Sequence, residues 1–261
     1  MDFMNSGISL GRWAGIKVVI SWLFVIWAGY GIFNSGQPAL MAIIYFVLFG
    51  MVLMHEFGHA FACRLMKGNA EHILLWPLGG LAFVAPPPEP WAWIVTTIGG
   101  PLVNVLLIPV YYLLYRYAGP QLQFNRHGHD INYYLNEAIY NGMRLNLALL
   151  LFNLLPVFPL DGGRLLQSVL WLFIGYPRSL LISGMTGTVG GIAFIGLGLG
   201  LAQIFIPLPH FIQPFFGEAS YPLGAAPGQP NVMFIGIGAF AAFTSFQTYR
   251  QAQTLASYRK R

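Results

Sequence analysis

His55-Glu56-Phe57-Gly58-His59 is the segment of this 261-residue chain whose residue types and spacing most directly suggest chemistry. On a helix, positions i and i+4 share a face. Both imidazoles can therefore aim a nitrogen at one metal ion, and Glu56, beside the first of them, can reach a water held there. The pattern is H-E-x-x-H, in which two histidines hold zinc and the glutamate acts as general base. The setting strengthens this reading. The segment lies within a long apolar run, and ionisable groups inside a membrane span cost about 2.5–3.5 kcal/mol each on insertion scales. His55, Glu56 and His59 fall within five residues of one another. A bound divalent cation would compensate all three.

A catalytic zinc usually takes three protein ligands and keeps the fourth position open. The candidates for the third are Cys63, His72, His127, His129, Asp130, Asp161 and His210. Cys63 lies one turn beyond His59, too far along the axis to share its ion, and reads as core. His72 falls in a short apolar strand and reads as an interfacial polar group. His127-Gly128-His129-Asp130 has the composition of a metal tract. By the orientation argued below, however, it falls on the far side of the membrane, and so does His210. Asp161 differs, because it closes the segment Asn153-Leu154-Leu155-Pro156-Val157-Phe158-Pro159-Leu160-Asp161-Gly162-Gly163-Arg164. Pro156 and Pro159 interrupt a helix there, and Gly162-Gly163 permits a tight turn. Irregular backbone at membrane depth is tolerated only where protein or a wet cavity covers it. Such a segment can turn a carboxylate into a cavity. Asp161 thus reads as a metal ligand, or else as the cap of a following helix at 164–174; the ligand is preferred.

The elements that must position these groups belong to an α-helical polytopic integral membrane protein. Apolar residues make up 56% of the chain and charged residues only 8%, against roughly 25% charged in soluble domains. So few charges cannot cover a soluble surface, and such hydrophobicity excludes intrinsic disorder. A single Cys excludes a disulfide framework. Six apolar stretches approach the roughly 20 residues of a spanning helix: 18–34, 40–66, 91–117, 138–158, 179–206 and 231–249. The fifth is rich in Gly, which reads as close helix packing. Residues 69–85 are too short to cross. They predict a β-hairpin with strands near 70–76 and 80–85, joined through Pro77-Leu78-Gly79-Gly80. Loop 119–137 is polar, 207–230 reads as an interfacial flap, and 250–261 as a basic tail. No internal repeat or second domain is visible, so 1–261 reads as a single membrane-embedded domain. Residues 1–17 lack the apolar core of a signal peptide.

The net charge of +5 does not point to nucleic acid, because the basic residues form no aromatic-flanked patch. It points to membrane orientation. With six spans, one side holds Arg12, Lys17, Arg64, Lys67, Arg164, Arg178, Arg250, Arg259, Lys260 and Arg261. The other holds Arg116, Arg126 and Arg144. The basic excess marks the cytoplasmic side and puts both termini there. It also places the H-E-x-x-H end of the second span and Asp161 at similar depth toward the cytoplasm. A prokaryotic cell membrane is the expected location.

HEFGH on a span, followed about a hundred residues later by NLLPVFPLDGGR, resembles the site-2 protease family of intramembrane zinc metalloproteases. The second motif fits that family's N-x-x-P-x-x-x-L-D-G, and Gly100-Pro101-Leu102-Val103-Asn104 resembles its G-P-x-x-N. The resemblance covers residues 8–249. It implies one zinc per chain held by His55, His59 and Asp161, with Glu56 catalytic and Asn153 holding the substrate backbone. It also implies cleavage within or near the transmembrane segment of single-span membrane proteins in the bilayer. The hairpin near the active site would receive the unwound substrate. Loop 119–137 leaves no room for a PDZ domain, and no CBS pair follows before residue 261, so the expectation is either a minimal six-span member or a chain truncated after residue 261. The alternative is a non-hydrolytic metal transporter or sensor using the same ligands. Against it stand Glu56 beside the histidines and the lack of an inverted repeat.

Overall fold

The computed structural model describes residues 7–118, 131–211, 213–216 and 220–258. His127, His129, Asp130 and the end of the basic tail lie outside the described residues. The chain divides into two compact units, Met1–Pro87 with Gly99–Leu150, and Pro88–Ile98 with Leu151–Arg261.

The first unit opens with strands β1 (Gly7–Trp13) and β2 (Ile16–Ser21), followed by helices α1 (Trp22–Asn34) and α2 (Pro38–Leu65). Strands β3 (Asn69–Trp76) and β4 (Gly79–Ala85) come next. The four strands form one sheet in the order β1-β2-β3-β4. The β1–β2 and β3–β4 pairs are antiparallel and β2–β3 is parallel. Val52, Leu53 and Ala60 of α2 pack with Ile16, Val18, Ala70, Ile73 and Leu75 of the sheet. Full burial of a side chain such as Ile73 contributes about 1.5–3 kcal/mol relative to exposure in water.

The turn out of α2 fixes where the hairpin starts. Lys67 adopts φ +62, its N–H bonds the Arg64 carbonyl at 2.9 Å, and the Gly68 N–H bonds the Cys63 carbonyl at 2.9 Å. This paired closure satisfies carbonyls that a helix end leaves open. Cys63 Sγ then donates to the Asn69 carbonyl, so the lone cysteine belongs to the turn. The chain reverses into β3 beside the helix that carries the histidines.

Helix α3 (Pro90–Tyr117) is shared by the two units. In the first unit, a Cβ at Gly58 would overlap the Gly99 carbonyl, and one at Gly99 the Gly58 carbonyl. The two glycines let the α2 and α3 backbones cross in contact. Helix α4 (Ile131–Asn153) buries Met143, Asn146, Leu147 and Leu150, one face at helical spacing.

The second unit contains α5 (Asp161–Ile174), α6 (Tyr176–Gly198), α7 (Gln213–Phe216) and α8 (Val232–Tyr258). A small antiparallel ladder joins β5 (Ile204–Pro207) to β6 (Ser220–Leu223). Buried Gly184, Gly187, Gly191 and Gly198 of α6 abut Tyr249, Ser245, Ala242 and Ile235 of α8 in reverse order. The glycine run is antiparallel helix packing, as its composition suggested.

Among the described residues, four helices are long and apolar enough to cross a membrane: Pro38–Leu65, Pro90–Tyr117, Tyr176–Gly198 and Val232–Leu255. The protein is thus an integral membrane protein with a mostly helical fold and a small sheet. The expected first and fourth spans differ from this. Residues 18–21 of the first belong to strand β2, and α1 has 13 residues. That is about 20 Å of helix against roughly 30 Å of hydrocarbon. Helix α4 carries Glu137, Asn141, Arg144 and Asn146 and is not among the four. The expected fifth span ends early, at Gly198, with β5 taking up its last residues.

Candidate metal centre

The first unit carries both histidines and the glutamate. One regular helix buries His55, Glu56 and His59, each less than a tenth exposed. The i, i+4 spacing brings His55 Nε2 to 3.2 Å from His59 Nε2, with the rings nearly perpendicular. For an ion with Zn–N of about 2.0–2.1 Å and tetrahedral angles, two ligand nitrogens lie about 3.3–3.4 Å apart. The observed spacing fits.

The space in front of the nitrogens is kept by Gly100. A Cβ there would collide with Nε2 of both His59 and His55. Any side chain at residue 100 would fill the volume at ligand distance from the imidazoles. The residues present therefore fit a metal ion.

His55 Nδ1 lies 2.6 Å from Asn104 Oδ1. That oxygen only accepts, so the imidazole carries its proton on Nδ1 and presents an unprotonated Nε2. Asn104 is fixed in turn. Its Nδ2 donates to Asn146 Oδ1 at 2.8 Å, and Asn146 Nδ2 donates to the Asn104 carbonyl at 2.9 Å. Neither amide is exposed. The Gly100 N–H donates to His59 Nδ1 at 3.3 Å, so the His59 proton lies on Nε2, facing the unprotonated Nε2 of His55, and has to leave that nitrogen for a metal ion to bind there.

Glu56 reaches to the hairpin. Its Oε2 accepts the Ala82 N–H at 2.8 Å. β4 is the last strand of its sheet, and this amide points out of the ladder to the carboxylate. Gly80 packs against the Glu56 side chain so closely that a Cβ there would overlap it.

The second unit carries Asp161 and Asn153. Asp161 is 7% exposed and opens α5, with Leu160 at the N-cap position. The alternative reading of Asp161 as the cap is therefore not supported. Asn153 ends α4. Of the other candidates, His72 stacks on Phe83 at 3.9 Å and Cys63 is held in its turn. His210 is exposed. Among the described residues none of these three belongs to a group able to hold a metal.

Sequence reasoning missed the Asn104–Asn146 pair, Gly100 as the keeper of the ligand space, and the Ala82 amide. Two asparagines within apolar runs were the available signal for the first. Nothing in the residue types marks a backbone amide.

A model of peptidase family M50 matches residues 43–143 and 128–197, a stretch that includes both histidines, Glu56 and Asp161. The chain belongs to peptidase family M50, the site-2 protease family. It is 31% identical over 209 residues to a zinc metalloprotease of Methanocaldococcus jannaschii, covering 78% of this chain and 57% of that protein. A Synechocystis protein named as a zinc metalloprotease is also 31% identical, over 226 residues, with 80% and 56% covered. The chain thus spans a little over half the length of these relatives. In fold it resembles the site-2 protease from Methanocaldococcus jannaschii, with TM-score 0.59 and 24% identity over 94% of this chain and 95% of that one.

Proposed function

We propose that this M50 protein is a zinc-dependent intramembrane endopeptidase that hydrolyses a peptide bond within or near the transmembrane segment of single-span membrane proteins. The observation that carries this is the pair of Nε2 atoms 3.2 Å apart on α2, with Glu56 beside them and Asn104 fixing the first ring. One zinc per chain is held by His55, His59 and Asp161. All three are buried, and each offers a ligand atom of a kind zinc takes.

Zinc bound there supplies a Lewis acid for the scissile carbonyl and lowers the pKa of a water toward about 7. Glu56 takes the proton of the attacking water and returns it to the leaving amine. Asn104 keeps the His55 proton on Nδ1 throughout. A helical peptide bond has its carbonyl committed and shielded, so the substrate must unwind, which Gly or Pro in its sequence would ease. The outer edge of β4 receives the extended segment by strand addition. Asn153 bonds its backbone, because an extended peptide away from water has polar groups to satisfy.

The whole chain works as one membrane-embedded domain. The short apolar α1 and the more polar α4 complete six crossings, with both termini and the product on the cytoplasmic side. A cysteine at Asn125 in a Cys63→Ser background tests this orientation. It should react with an impermeant thiol reagent outside intact cells, and labelling only after permeabilisation would reverse the topology.

The function itself is tested with purified protein and a panel of single-span substrates. Glu56→Gln should keep its zinc and lose cleavage by about 10²–10⁴-fold, the usual contribution of a general base. Cleavage at the wild-type rate by Glu56→Gln would remove the catalytic assignment.

A further inference from the structure

Asp161 is placed by a segment with little regular structure, residues 154–160, and the second unit holds that segment in an unusual way. The Leu160 N–H bonds the Val157 carbonyl at 2.9 Å, and the Val157 N–H bonds the Leu155 carbonyl at 2.7 Å. The first turn of α5 lies directly on this backbone. A Cβ at Gly162 would overlap the Leu154 and Leu155 carbonyls, and one at Gly163 the Phe158 amide nitrogen. Any shift of residues 154–158 therefore moves the start of α5, where Asp161 sits.

One bond ties this segment to α8. Ser245 Oγ donates to the Phe158 carbonyl at 2.5 Å. The Phe158–Pro159 peptide has no N–H, so that carbonyl is its only polar group. A buried polar group without a partner is costly. Ser245 itself is fully buried. Its bond also departs from the habit of its helix. Thr244, Thr248 and Thr254 of α8 bond carbonyls of their own helix, the ordinary recourse of a hydroxyl in a helix. Ser245 instead reaches a segment 87 residues away.

Helix α6 makes room for the bond. A Cβ at Gly187 would overlap Ser245 Oγ and come within 2.9 Å of the Phe158 nitrogen and Cβ. One turn on, Gly190 faces the Val157 side chain, which is buried with Phe194, Leu197 and Ala241. The segment is thus seated in a glycine notch of α6 and fastened by α8.

We infer that Ser245 is a positioning residue for the metal centre. By fixing the Phe158 carbonyl it sets the aim of Asp161, and with it the affinity for the metal. The inference rests on the reading of Asp161 as a ligand.

The test is metal binding by purified protein, without substrate. Zinc affinity is measured by competition with a chelator, and the coordination of the cobalt(II) form by its visible spectrum. Ser245→Ala should weaken zinc by about tenfold, within the range for groups that orient ligands from outside the first shell, and should alter the cobalt spectrum. The isosteric pair Ser245→Thr and Ser245→Val separates hydroxyl from packing, and keeps the test alive if Ser245→Ala does not fold. Ser245→Thr should bind zinc more tightly than Ser245→Val. Ser183→Ala removes a buried hydroxyl of α6 that has no hydrogen-bond partner among the described residues, and should change neither readout. Wild-type affinity and spectrum in Ser245→Ala, or equal affinities in the Thr and Val variants, would overturn the inference. Asp161→Asn keeps the two ideas apart. If it binds zinc as wild type does, the ligand reading fails. If it loses zinc while Ser245→Ala does not, only the role of Ser245 fails.

Discussion

His55 and Asp161 are held by opposite means. His55 lies within 28 continuous residues of α helix, where the helical period alone brings its Nε2 to face that of His59. What the helix leaves free is the ring's tautomer and tilt, and side chains supply those through Asn104 and Asn146. Asp161 follows a segment broken by Pro156 and Pro159, where no period sets the direction. There the backbone itself has to be fixed, by glycine faces and by a hydroxyl on a carbonyl. A ligand on a regular element needs its side chain oriented, whereas a ligand after an irregular segment needs its chain oriented. The supporting residues differ accordingly, amides in one unit and glycines with a serine in the other.

Substitutions in the first unit test this division. The largest effect is expected from Gly100→Ala, whose Cβ would sit against both Nε2 atoms. The folded variant should lose most of its zinc by elemental analysis, and full occupancy would break the assignment of the ligand space. Asn104→Leu should weaken zinc by about 10–100-fold, the usual cost of removing a partner that orients a ligand, with secondary structure retained. Unchanged affinity there would mean that the helix alone fixes the ring.

Asn153→Leu sharpens the comparison from the substrate side. Zinc content and thermal stability should hold while cleavage falls by on the order of 10–100-fold, as for one buried hydrogen bond of about 1.5–3 kcal/mol. A drop in stability with normal specific activity would make Asn153 a helix-packing group instead. The smallest effect is expected at Asn146, which is linked to His55 through Asn104. Asn146→Leu should cost about tenfold in zinc affinity, at the low end of that range, and a larger loss than Asn104→Leu would reverse the order of the two amides.

The candidate chemistry of this chain was legible because costly residues in an apolar run announce themselves. His55, Glu56, His59 and Asp161 were proposed from type and spacing, and the structure buries all four; the hairpin was read from Pro77-Leu78-Gly79-Gly80 and is the β3–β4 pair. The sheet's other half was not found. Residues 18–28 are apolar almost without break, so β2 flows into α1. The only punctuation is Ser21, whose hydroxyl caps the helix by accepting the Phe24 N–H at 3.2 Å. Composition cannot separate a buried strand from a span in such a run. The amide pair was hidden for another reason. Asn104 and Asn146 lie 42 residues apart on different helices, and no local period relates them. Ser245 looked like any small residue of a span, since its partner is a backbone carbonyl.

X-ray absorption of the purified zinc protein, wild type beside Asp161→Ala, tests the central claim most directly. The account predicts one zinc per chain, with two imidazole nitrogens at about 2.0–2.1 Å and a carboxylate oxygen at about 2.0–2.2 Å. Asp161→Ala should lower occupancy and remove that oxygen. A sulfur neighbour at about 2.3 Å, which would implicate Cys63, or an unchanged shell and occupancy in Asp161→Ala, would contradict it.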